Sequence, residues 1–174
     1  MLWLIAVIAG AAILYLVFAA KAPHAIHQKF GLNPDHWTIV SSDLGGGHSR
    51  QRLYGFGVAG EPDAVLRGNR TGQIAVGEFK NRRHGGYVRR REFYQLILYI
   101  GLAREVYRST NVVGVLAFKD ARVEIAHDDA LFRALIGMRG EVLDSIKRRK
   151  PLNRSPLHKR INIAAGNRKV RFPR

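Results

Sequence analysis

The first twenty residues constrain this chain more than any other stretch. Leu2 to Ala20 (LWLIAVIAGAAILYLVFAA) carries no charge, and Lys21 comes at once after it. At about 1.5 Å per residue a helix of this length spans roughly 29 Å, the hydrocarbon thickness of a bilayer. A buried helix of a globular core usually keeps a polar stripe, which this run lacks. A cleaved signal peptide would carry a basic leading region and a shorter apolar core, and Pro23 is unfavourable just after the Ala20-Lys21-Ala22 triplet. Residues 1–21 are therefore expected to form a single uncleaved transmembrane helix, with Trp3 and Tyr15 towards its two interfaces. Lys21, Lys29 and the basic chain beyond them all lie on one side. The positive-inside bias then places the N-terminus outside and the rest in the cytoplasm, at the plasma (inner) membrane.

Beyond the anchor the chain of 174 residues has room for one domain of ordinary size. The formal net charge is +16, from 29 basic and 13 acidic residues. That excess is concentrated rather than spread. Lys80, Arg82, Arg83, Arg89, Arg90 and Arg91 form one cluster, and Lys147 to Arg174 holds eleven Lys and Arg with no acidic residue. Setting these aside leaves a nearly neutral body. Two separated basic runs call for a polyanionic partner, nucleic acid or anionic lipid. The absence of cysteine excludes a disulfide scaffold, a thiolate zinc site, a cysteine nucleophile and a cysteine-held iron–sulfur cluster.

Residues 22–36 read as a juxtamembrane connector with one helical stretch before Gly31. His24, His27 and His36 lie there without carboxylate or thiol partners, which favours polar surface over a metal site. Strands are expected over Trp37–Ser41, Arg52–Val58, Asp63–Arg67 and Gln73–Lys80, the last two joined by the turn Gly68-Asn69-Arg70-Thr71-Gly72. Apolar residues at 93, 96, 97, 100, 103, 106 and 107 predict a long helix over Tyr87–Tyr107. Strands over Val112–Phe118 and Arg122–Ala126 come next, then a helix over Asp128–Lys147 capped by Asp128 or Asp129. Ile161-Asn162-Ile163 could form a short strand in the tail. The result is an α/β domain over residues 37–148, followed by a basic C-terminal tail over 149–174.

The hairpin 63–80 carries the chemistry. With its turn centred between residues 70 and 71, Asp63 falls opposite Glu78. Strand alternation puts Glu78 and Lys80 on one face. Two carboxylates held this close are costly without a cation between them, and hard oxygen donors suit Mg²⁺ or Mn²⁺. A plain salt bridge among Asp63, Glu78 and Lys80 explains the hairpin equally well. The next helix adds Gln95 and Tyr99, four apart on one face, with Gln95 interrupting an otherwise apolar stretch.

In this order, Gly60-Glu61-Pro62-Asp63, Glu78-Phe79-Lys80 and Gln95-Leu96-Ile97-Leu98-Tyr99 resemble the PD-(D/E)xK nuclease superfamily. The likeness is greatest to its RecB-like/Cas4-like branch, which carries a Q-x-x-x-Y helix after the E-x-K strand, and it covers about residues 48–120. It implies a restriction-endonuclease-like core, a central mixed β-sheet flanked by helices. It also implies catalytic residues Asp63, Glu78, Lys80, Gln95 and Tyr99. The metal would be held by Asp63, Glu78 and the Phe79 backbone carbonyl, Lys80 would orient or deprotonate the attacking water, and Gln95 and Tyr99 would position the site and the strand. His48 is the candidate for the upstream histidine ligand of that branch, although its spacing from Asp63 is short. Glu61 is expected to face solvent. The iron–sulfur cluster of the Cas4-like enzymes has no ligands here.

Arg82, Arg83, Arg89, Arg90 and Arg91 link the E-x-K strand to the Q-x-x-x-Y helix and are the expected phosphate contacts, because an arginine fork matches phosphate oxygens. No P-loop, zinc-finger or RRM pattern points to ATP use or base readout. The expected function is a membrane-anchored, Mg²⁺- or Mn²⁺-dependent nuclease acting on DNA, with the tail from Lys147 gripping flanking DNA or anionic headgroups. The alternative is a non-catalytic, membrane-tethered module that binds DNA or protein.

Overall fold

In the computed structural model, which describes residues 24–44, 49–161, 167 and 170–173, a five-stranded mixed sheet separates two apolar layers. The expected anchor over residues 1–21, His48, and most of the Ile161–Ile163 strand lie outside the described residues. Among the described residues no helix is long and apolar enough to cross a membrane.

Helix α1 occupies residues 24–30 and ends where Gly31 takes a left-handed φ of 67°. Then come β1 (Trp37–Ser42), β2 (Leu53–Gly55), β3 (Val58–Gly60), β4 (Ala64–Gly68), β5 (Ile74–Lys80), α2 (Arg90–Val106), β6 (Val112–Phe118), β7 (Arg122–Ala126), α3 (Asp129–Gly137), α4 (Arg139–Lys147) and α5 (Leu157–Arg160). The sheet order is β1-β4-β5-β6-β7, with β2 and β3 forming a separate hairpin. Every neighbouring pair in the large sheet is antiparallel except β5 and β6, which run parallel because α2 carries the chain back across one face.

Alternation along the strands builds both layers. Val65, Ile74, Val76 and Leu116 face Phe93, Leu96, Ile97 and Ile100 of α2. Ala64, Leu66, Ala75, Val113, Val115 and Ala117 face the other way, onto Ile26 and Phe30 of α1. Coverage on both sides explains why β6 is buried along its whole length and reads as an unbroken apolar run. His27 fastens α1 to the sheet, its Nε2 donating to the Trp37 carbonyl at 2.7 Å. The helix before Gly31 is thus part of the domain core rather than a spacer.

Two expected elements differ. The single strand over 52–58 is a tight hairpin, because Phe56 and Gly57 both take positive φ, 54° and 71°, the signature of a type I′ turn. Phe56 is an unusual residue for that position; its ring stacks edge-on against Phe132 at 5.5 Å. The single helix over 128–147 is two, α3 and α4, meeting at Met138. Gly137 and Gly140 flank the break, and each weakens a helix by about 1 kcal/mol relative to alanine. Asp128 is the N-cap of α3, its Oδ1 accepting from the Leu131 N–H at 3.0 Å.

The tail packs back where it is described. Ile161 is buried, Phe172 stacks edge-on against Phe93 at 5.3 Å, and the Val88 N–H donates to the Arg171 carbonyl at 2.8 Å.

One close approach sets the α1 layer. A Cβ on Gly77 would lie 2.4 Å from Cε1 of Phe30. Gly77→Ala must push α1 off the sheet, and equilibrium denaturation should show a loss of about 1–3 kcal/mol.

Candidate functional site

The register of β4 and β5 creates the site. Ala64 pairs with Gly77 and Val65 with Val76, so the next position places Asp63 beside Glu78, as the turn centre required. Asp63 sits at the mouth of β4, and its Oδ2 accepts from the Phe79 N–H at 2.6 Å. Glu78 and Lys80 share the α2 face of β5, and Lys80 Nζ donates to Glu78 Oε1 at 2.9 Å. The Phe79 side chain turns to the opposite face, where Lys29 Nζ lies 4.5 Å from its ring centroid.

Helix α2 supplies the remaining members. Gln95 Nε2 donates to Glu78 Oε1 at 3.0 Å, and Gln95 Oε1 accepts from Lys80 Nζ at 3.1 Å. The same amide is 3.0 Å from the Tyr99 hydroxyl. Asp63, Glu78, Lys80, Gln95 and Tyr99 therefore converge on one end of the β4–β5 hairpin. Gly60 makes room for Tyr99, since a Cβ there would fall 2.3 Å from Tyr99 Cε1. Glu61 is exposed, 4.0 Å from Arg52 Nε.

The electrostatics of the pair are unfavourable as they stand. Burial raises the Asp63 pKa above its ordinary value; the Phe79 N–H opposes this, and the Asp43 charge adds to it. Burial likewise raises Glu78, which the Lys80 hydrogen bond offsets only in part and the Asp63 charge increases again. Glu78 is 7% exposed, and its Oε2 is buried without a hydrogen-bond partner. A buried carboxylate oxygen left without a donor costs about 1–3 kcal/mol or more. A divalent cation answers both problems, because it takes hard oxygen donors and neutralises the pair. The residues present thus fit Mg²⁺ or Mn²⁺. Among the described residues no group of three or more His, Cys, Asp or Glu gathers around one point, so the protein side chains here offer two carboxylates.

The basic loop separates into a scaffold and a surface. Arg82 is half-buried and engaged: Nη2 and Nε donate to Glu92 Oε2 and Oε1 at 2.7 and 3.1 Å, and Nη1 donates to the carbonyls of Arg83 and His84 at 2.9 and 3.0 Å. Its guanidinium also lies 4.6 Å from the centroid of the Phe118 ring. Arg83 is exposed, 3.6 Å from Asp120. Arg90 lies over Phe172, and Arg91 is exposed at the start of α2. Arg82 is thus placed as the loop's internal tie, and Arg83 and Arg91 as its outward charges.

Glu92 went unnoticed in the sequence. Besides binding Arg82, its Oε2 accepts from the Arg89 N–H at 3.0 Å and so closes the first turn of α2. The signal was an acid three residues after the helix start. It was obscured because Arg89 stands where a Ser or Thr cap is normally sought.

No protein-family profile and no curated protein matches this chain. Among solved structures, the crystal structure of SSO0001 is similar with a TM-score of 0.40 and 21% identity, over 86% of this chain and 65% of that one. The EndoMS-dsDNA2 complex is similar with a TM-score of 0.34 and 21% identity, over 69% and 41%. The chain spans less than two thirds of either, and at these TM-scores neither likeness carries an argument about this protein.

The Glu92 pair has a pH signature. Burial pushes the carboxyl up, but the Arg82 hydrogen bond and the Arg89 N–H outweigh it and hold the pKa below its ordinary value. A depressed carboxylate pKa stabilises the fold above the ordinary range, and that stability is lost as pH falls through the folded value. Glu92→Gln should cost about 1–3 kcal/mol at neutral pH. In denaturant titrations the gap from the parent should shrink as the pH is taken below the ordinary glutamate range.

Proposed function

We propose that this protein is a membrane-anchored, divalent-metal-dependent nuclease that hydrolyses DNA phosphodiester bonds. The observation that supports this best is the convergence of two burial-raised carboxylates, one with an orphaned oxygen, on an ammonium held by a glutamine. A salt bridge alone would need one carboxylate for Lys80, and the second is left over. The order of β1, β4, β5, α2 and β6 and the five side chains also agree with what the PD-(D/E)xK resemblance implies.

In this reading Asp63 and Glu78, with the Phe79 carbonyl, hold Mg²⁺ or Mn²⁺. The ion would supply Lewis-acid polarisation of a phosphate oxygen and lower the pKa of a bound water. Lys80 has three N–H donors, and two are occupied by Glu78 Oε1 and Gln95 Oε1. The third is free to orient the attacking water or to offset charge growing on the phosphate. Gln95 bonds both members of the Lys80–Glu78 pair and so fixes their geometry, and Tyr99 in turn holds Gln95. The outward arginines beside the site, Arg83 and Arg91, and the flanking Arg89 and Arg90, would hold the phosphate backbone. The uncharged run over residues 2–20 supports anchoring, with the domain on the cytoplasmic side.

The test is cleavage by the full chain in detergent, on linear, circular and single-stranded DNA, with Mg²⁺ or Mn²⁺. Cleavage should vanish with EDTA and fall by about 10²–10⁴-fold in Glu78→Ala and in Lys80→Ala. A folded protein that binds DNA in a salt-sensitive manner but never cuts it would overturn the enzyme and leave the tethered binding module.

A further inference from the structure

Helix α4 contributes no buried residue to the domain. Its apolar side chains stand in solvent instead: Val142 is 51% exposed, Leu143 40% and Ile146 67%. Val142 and Ile146, four apart, share one face. Leu152 joins them at 43% exposure because the chain turns back after α4. The Lys150 N–H donates to the Ser145 carbonyl and the Leu152 N–H to Ser145 Oγ, both at 3.1 Å, and Arg149 is held at a φ of 51°. This fold-back leaves a shallow hollow of about 370 Å³ between Val142, Ile146, Arg149 and Pro151.

The collar around these apolar residues is cationic. Arg139, Lys147, Arg148, Arg149 and Lys150 are all exposed, and no acidic residue comes after Asp144 in the sequence. Of the two acids on α4, Glu141 is neutralised by both terminal nitrogens of Arg160. We propose that α4 and the turn after it form a second membrane contact, which docks on the surface of a bilayer containing anionic lipid. Duplex DNA would use the arginines and lysines, but its phosphates gain nothing from an exposed valine, leucine and isoleucine. A bilayer interface uses both sets at once: the apolar residues enter the headgroup boundary while the cations meet anionic headgroups. The surface uses none of the residues assigned to the metal site and requires neither cleavage nor the N-terminal run.

Because the chain has no cysteine, one introduced thiol reports one place. An environment-sensitive fluorophore on Ile146→Cys in the full chain would be followed in phosphatidylcholine vesicles with and without phosphatidylglycerol, some carrying nitroxide-labelled lipid. Anionic vesicles should give a blue shift and several-fold stronger nitroxide quenching than neutral ones, reversed by high salt. A probe on Arg70→Cys, in the exposed β4–β5 turn, should stay in water throughout. Adding Arg148→Glu and Lys150→Glu to the Ile146→Cys chain should abolish the response while leaving the circular dichroism unchanged. Equal quenching in neutral and anionic vesicles, or none in either, would overturn the proposal. So would protection of the probe by DNA rather than lipid, or protection that grows with protein concentration in the absence of vesicles.

Discussion

The hydrogen bond from the Phe79 N–H to Asp63 Oδ2 marks the register on which everything else depends. A strand slip of one residue would turn Glu78 and Lys80 to the α1 face and send Gly77, with no side chain, towards α2. Both apolar layers resist that slip. Ile74 and Val76 belong against α2, and Ala75 and Gly77 are the small residues that admit Ile26 and Phe30. The carboxylate pair is thus held by two packed layers rather than by attraction between its own members, which repel.

Burial and charge oppose each other at this point. Asp63 and Glu78 are both raised by burial, and Glu78 keeps an oxygen without a donor. A chain selected for stability alone would replace one of them. The surrounding structure instead supplies rigid supports. Tyr99 is seated against Gly60, Gln95 bridges Glu78 and Lys80, and Glu92 ties the Arg82 loop to the first turn of α2. Charge that would otherwise repel is thereby gathered around a small volume, with outward arginines beside it.

Much of this was legible in the sequence. The β4–β5 pairing came from a turn at Gly68–Gly72, and β6 and β7 matched their expected bounds because their apolar runs end at clear breakers. The convergence of Asp63, Glu78, Lys80, Gln95 and Tyr99 was readable because strand and helix periods place them on facing surfaces. The misreadings have local causes. The Phe56-Gly57 turn lacks the Asn or Asp that usually marks a type I′ hairpin, so β2 and β3 read as one strand. The apolar period runs straight through Gly137-Met138, so α3 and α4 read as one helix. Arg82 reads as a phosphate contact in the sequence, and its engagement with Glu92 shows only once the loop is folded against α2. The fold-back of Phe172 and Ile161 depends on contacts that no local pattern encodes.

Calorimetric titration of Mn²⁺ into the full chain in detergent bears most directly on the paired carboxylates. Saturable binding of one ion per chain is the predicted result, since two converging carboxylates offer hard oxygen donors to a single cation. Asp63→Asn and Glu78→Gln should each abolish it with the fold intact. Absence of saturable binding in the parent, or unchanged binding in both variants, would contradict the metal site and with it the proposed chemistry.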